Sequence, residues 1–114
     1  MHEVSIVESL LEIAVAECKK NGYTKINSIK VCIGSASGVM PEALFFAFNA
    51  LKSETLASGA ILLIEEVPIA GHCSACGEDF TSSEKFVLCC PQCGSSAYTL
   101  HAGRELLIKD LEVD

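Results

Sequence analysis

Between residues 4 and 20 the apolar residues recur at the spacing of one helix face. Val4, Val7, Leu11, Ala14, Val15 and Cys18 keep the rhythm, and Leu10 and Ile13 widen the stripe. Ser5 with Glu8 reads as a Ser-x-x-Glu capping box, which leaves Met1 to Glu3 at or before the helix start. Asn21-Gly22 reads as the stop, because glycine accepts the left-handed backbone that closes a helix. From 26 to 33 the period changes to two: Ile29, Val31 and Ile33 alternate with Lys30 and Cys32, the pattern of a strand with one buried face. Pro41 opens a second helix, with Leu44, Phe45, Phe48 and Leu51 as its apolar stripe. Residues 60–67 make a second strand, ended by Pro68. A strand, a helix and a strand in this order predict a right-handed crossover between parallel strands. Arg104 to Val113 reads as a third strand, whose alternation breaks phase near Lys109-Asp110 and so predicts a bulge.

Between 69 and 97 the helical rhythm stops, and five of the seven cysteines fall there. Two pairs share one pattern: Cys73-Ser-Ala-Cys76-Gly77 and Cys90-Pro-Gln-Cys93-Gly94. One tight turn presents two thiolates to one ion, the glycine relieves Cβ crowding under the sulfurs, and two turns complete a tetrahedral Zn(II) site. The thirteen residues between the pairs are enough for a β-hairpin. A segment of this size cannot build a sufficient core, and structural zinc supplies on the order of 10 kcal/mol to fold it. Cys89 is the alternative to Cys90, but only Cys90 preserves the repeat. Cys18 reads as a small buried hydrophobe. His72 and His101 read as solvated loop histidines, each a secondary candidate ligand.

The predicted fold is therefore α+β: a small mixed three-stranded sheet with two helices, plus an inserted zinc-ribbon-like module. Residues 1–68 and 98–114 form the main domain and residues 69–97 the zinc-binding one.

Composition narrows the function. The chain has 114 residues, half of them hydrophobic and a fifth charged, which excludes a disordered chain. Fifteen acidic against eight basic residues give a net charge of −7, which argues against nucleic acid and anionic membranes as partners. No apolar run is long enough to span a bilayer, and Met1-His2-Glu3 lacks the basic start of a signal peptide, so the expected location is cytoplasmic. An odd number of cysteines in a reducing compartment points to metal or redox chemistry rather than disulfides.

Read locally, Met1-His2-Glu3 is an ordinary frayed start, with Glu3 favourable at a helix N-terminus. Its donor chemistry is nevertheless specific. The amine of Met1, the amide nitrogen of His2 and the His2 imidazole close two fused chelate rings on one ion, and a further donor comes from Glu3 or another side chain. Planar nitrogen sets suit Ni(II) and Cu(II), whereas thiolate tetrahedra suit Zn(II).

The chain resembles the HypA/HybF hydrogenase maturation proteins, which are nickel-incorporation metallochaperones. The resemblance rests on Met1-His2-Glu3, the stretch from Pro41 to Phe48, Gly59-Ala60 with Ile64 to Pro68, the two cysteine pairs, and Gly103 to Leu106 running into Leu111 to Val113. It spans essentially the whole chain in one order. It implies Ni(II) binding at the N-terminus, with His2 as the essential ligand and Glu3 as ligand or tuning group. It also implies a structural Zn(II) on Cys73, Cys76, Cys90 and Cys93. The implied partners are a HypB-type nickel GTPase, the NiFe-hydrogenase large subunit and, in some bacteria, the urease maturation machinery. The adjacent Cys89-Cys90 pair departs from the family pattern. A metallochaperone of this kind is not an enzyme. The alternative is a zinc-ribbon interaction adaptor with no nickel role. A Cys-x-x-Cys redox enzyme is disfavoured, because neither pair precedes a helix that would depress a thiol pKa.

Overall fold

The computed structural model describes residues 3–114. The order is α1 (Glu3–Lys20), β1 (Ile26–Gly34), α2 (Pro41–Leu51), β2 (Ile61–Val67), β3 (Ile69–Cys73), β4 (Asp79–Ser82), β5 (Tyr98–Ala102) and β6 (Leu106–Val113). The strands form two three-stranded sheets, ordered β2-β1-β6 and β4-β3-β5. The fold is α+β, with a four-cysteine cluster beside the second sheet's strands.

Two compact units divide the chain. One holds the residues up to Val31, Val39–Glu65 and Leu107–Asp114; the other holds Cys32–Gly38 and Glu66–Leu106.

In the first unit α1 packs on α2. Val7, Leu10, Leu11, Ala14 and Cys18 are buried, so Cys18 is a core side chain as its spacing predicts. Val4 and Ile13, placed in the stripe by sequence, are more than half exposed, because the buried face is narrower than the apolar one. Ser5 lies inside the helix, whose first turn already contains Glu3, so the Ser5–Glu8 capping box does not form. The C-terminal signal is realised: Tyr23 N–H donates to Cys18 C=O at 2.9 Å and Gly22 N–H to Lys19 C=O at 3.1 Å, a Schellman closure. Lys19 and Lys20 complement the negative end of the helix dipole. In α2 the buried residues are Leu44, Ala47 and Phe48, while Phe46 is 79% exposed. On β1, Ile26, Ile29 and Val31 are fully buried. On β6 the burial alternation breaks at Lys109-Asp110, where both residues are exposed, at the position of the predicted phase change.

The second unit is built on antiparallel pairing of β3 with β4 and with β5. Its core is small: Ile69, Cys73, Phe80 and Cys90, with Val87, Tyr98 and Leu100 packed against it. Phe80 and Tyr98 meet edge to face, 5.8 Å between centroids, and the Tyr98 hydroxyl donates to Val87 C=O, pinning the loop that leads to Cys90.

Candidate metal centre

The four cysteines of the two repeats converge. Cys73 ends β3, and Cys76 sits one turn later. Cys90 and Cys93 repeat that turn at the far end of the loop after β4. The turns are built alike: Gly77 N–H donates to Cys73 C=O and Gly94 N–H to Cys90 C=O, both at 2.8 Å. Both glycines sit at φ +76, with nothing within 4 Å of the place a Cβ would take. The glycine requirement is therefore conformational and not the relief of Cβ crowding expected from the sequence.

The four sulfurs lie within 4.8 Å of one another. Cys73 Sγ is 3.6 Å from Cys93 Sγ, and Cys76 Sγ is 3.8 Å from Cys90 Sγ. A tetrahedron with metal–sulfur bonds of about 2.3 Å has edges of about 3.8 Å, so the donor set fits one tetrahedral thiolate-bound ion such as Zn(II). Cys73 and Cys90 are buried, while Cys76 and Cys93 are exposed.

The thiols do not ionise alike. Backbone amides of Cys76 and Ala75, with the sulfurs of Cys93 and Cys76, lower the Cys73 thiol to about 7 despite its burial. The Glu78 amide favours a thiolate at Cys76, but partial loss of hydration among the sulfurs and the three neighbouring thiols outweigh it and push that thiol to about 12, although the residue is exposed. Cys93, also exposed, is raised as well: the Ser95 amide opposes the shift, and the Cys73 and Cys90 sulfurs with partial loss of hydration prevail. Four thiolates in contact need a cation to hold their charge, and a divalent metal supplies it. When bound, zinc would contribute structural cross-linking of the two turns.

Cys89 does not belong to this group. It is exposed, whereas Cys90 is buried beside Cys76 and its sulfur accepts the Gln92 N–H at 3.4 Å. Among the described residues, neither His72 nor His101 joins the cluster. Both lie on strands rather than in loops, His72 on β3 and His101 on β5. His72 Nδ1 instead faces Asp79 Oδ1 at 2.7 Å across the β3–β4 pair.

Of the residues expected at nickel, Met1 and His2 lie outside the described residues. Glu3 stands in the first turn of α1, and its Oε2 accepts the Met40 N–H at 3.5 Å. Met40 is the N-cap of α2 and has no side-chain cap bond of its own, so Glu3 brings a carboxylate to the positive end of that helix. Nothing in the sequence pattern paired Glu3 with Met40, 37 positions away. Glu3→Ala should cost about 0.5–1 kcal/mol of stability and Glu3→Gln, which keeps an acceptor, less. Thermal unfolding of the two variants checks the order.

Two thiol turns that bring four sulfurs to tetrahedral spacing, in a small α+β chain, define a metal-binding protein. The chain belongs to the HypA family: the family model described as "Hydrogenase/urease nickel incorporation, metallochaperone, hypA" matches residues 1–113. It is 41% identical to a hydrogenase maturation factor HypA of Lawsonia intracellularis, with all of both chains covered. It is 42% identical to that of a Picosynechococcus strain, with 99% of each covered. Its fold matches the solution structure of the Ni metallochaperone HypA from Helicobacter pylori with a TM-score of 0.71 at 30% identity, covering 99% of this chain and 97% of that one.

Proposed function

We propose that this protein carries Ni(II) for the maturation of NiFe-hydrogenase. The ion is bound by the N-terminal segment through the Met1 amine, the nitrogens of His2 and, as ligand or tuning group, Glu3. The carrier works in the cytoplasm, turns over no substrate, and delivers nickel to the hydrogenase large subunit together with a HypB-type GTPase. Urease maturation is a second client route. Cys73, Cys76, Cys90 and Cys93 hold a structural Zn(II) in a module of residues 69–97, and residues 1–68 with 98–114 carry the nickel site. The observation that carries this reading is the whole-chain match to a nickel-incorporation family, within which Met1-His2-Glu3 supplies a nitrogen-rich donor set. The nickel is cargo, so its site must release as well as hold it, and a terminal segment with few protein donors suits that demand.

Nickel affinity tests the reading. His2 coordinates only when neutral, so protons compete with the metal. With an imidazole pKa of about 6.5, the His2 ring alone should lower affinity roughly 30-fold between pH 7.5 and pH 5, measured by titration calorimetry. Protonation of the Met1 amine, ordinarily near about pH 8, with the His2 amide proton makes the whole fall steeper. Cu(II) should bind the same donors more tightly. An affinity unchanged over that range contradicts His2 ligation.

A further inference from the structure

We infer that the open face of the β4-β3-β5 sheet carries a second metal site, in which His72 and His101 take a divalent late transition-metal ion and Asp79 orients His72. Alternation along the strands separates this face from the thiolate cluster. On β3, Ile69, Gly71 and Cys73 are buried, so Ala70 and His72 stand on the opposite face. On β4, Phe80 is buried, and Asp79 and Thr81 flank it on the open face. On β5, Tyr98 and Leu100 pack against the core, while Thr99 and His101 are exposed. His72 is therefore next to Cys73 in sequence yet across the sheet from it.

The register brings the groups together. His72 pairs with Asp79 on one side and with Thr99 on the other. His101 lies two positions beyond Thr99, diagonal to His72, a separation of about 7–8 Å that long side chains span. The register of β5 against β3 shifts between Ala70 and Gly71, which leaves His101 as the extra residue of a bulge, a device that re-aims a side chain. His72 is already set as a ligand, because its Nδ1 lies 2.7 Å from Asp79 Oδ1. An ionised carboxylate only accepts, so the neutral ring carries its proton on Nδ1 and keeps the lone pair on Nε2. A carboxylate on the far nitrogen is what fixes the tautomer and raises the basicity of metal-binding histidines. The His72 side chain is 53% exposed, so the ring is open to an incoming ion. Two imidazoles select Ni(II), Cu(II) or Zn(II) over Mg(II) and Ca(II), which prefer oxygen. Water completes the coordination shell, so this site holds its ion more weakly than four thiolates and exchanges it faster. A net charge of −7 favours the approach of a cation. The inference does not depend on the nickel reading.

The test is Ni(II) titration of the untagged, zinc-loaded, full-length chain carrying His2→Ala and Cys89→Ser. These changes remove the N-terminal imidazole and the exposed thiol, and His72 and His101 are then the only histidines left. Calorimetry should show one ion bound at submillimolar Ni(II), and the paramagnetic ion should broaden the ring-proton NMR signals of both histidines together. Asp79→Asn, which spares both donors, should weaken binding about tenfold, and His72→Ala or His101→Ala more than that. All three positions are exposed, and unchanged zinc content with unchanged circular dichroism verifies the fold of each variant. No binding at millimolar Ni(II) overturns the inference. Binding that survives His101→Ala, or broadening of one histidine without the other, overturns it as well.

Discussion

Cys90→Ser is expected to abolish zinc binding and unfold the unit containing β3, β4 and β5, while Cys89→Ser keeps one zinc per chain and the native fold. The two cysteines are adjacent in sequence and opposite in setting. Cys90 is 1% exposed, with its sulfur 3.8 Å from that of Cys76, whereas Cys89 is exposed. Two of the four residues at the centre of that unit's core are themselves cysteines of the cluster, so the unit has little apolar burial to fall back on. A structural zinc contributes on the order of 10 kcal/mol at neutral pH, more than such a small core can replace. Metal analysis gives the stoichiometry, and the amide spectrum of β3 to β5 reports the fold. Zinc retained by Cys90→Ser but lost from Cys89→Ser would contradict the cluster as described.

Gly34→Ala should be severely destabilising, by more than about 4 kcal/mol, beyond the usual range for one substitution. A Cβ there would lie 2.1 Å from both the carbonyl carbon and oxygen of Gly103 and 2.4 Å from Arg104 N. All three are backbone atoms, so no side-chain rotation relieves the overlap. The backbone there is also tied by hydrogen bonds: Gly34 N–H donates to Glu105 C=O at 2.8 Å and Ala36 N–H to Gly103 C=O at 2.6 Å. Gly103, at φ +114 and against Ile69, cannot shift cheaply either. Gly59→Ala is the control: nothing lies within 4 Å of its Cβ position, and the change should stay within about 1 kcal/mol. Urea denaturation separates the two, and equal midpoints for Gly34→Ala and the native chain would contradict this packing.

How much of this was legible depended on where periodicity and burial coincide. The helices and the strands β1, β2 and β6 were readable because runs such as Ile29, Val31 and Ile33 repeat long enough to declare a period. The sheet of β3, β4 and β5 was not. Its strands have four or five residues, and β3 buries Ile69, Gly71 and Cys73, of which glycine carries no hydrophobic signal. That is why His72 and His101 read as loop residues. The cysteine cluster was legible from spacing alone, since two equal turns with equal glycines encode two equal presentations of sulfur. The reason for those glycines was not, because crowding and positive φ leave the same residue in the sequence. The Glu3–Met40 bond is a tertiary contact with no local signature.

In the proposed function one chain holds nickel and zinc at separate places, nickel through His2 and zinc through the four thiolates. Nickel titration with metal analysis, on native protein with an untagged N-terminus and on His2→Ala, tests it most directly. The account predicts tight nickel binding that disappears in His2→Ala while one zinc per chain remains. Equal nickel binding by both proteins would contradict it.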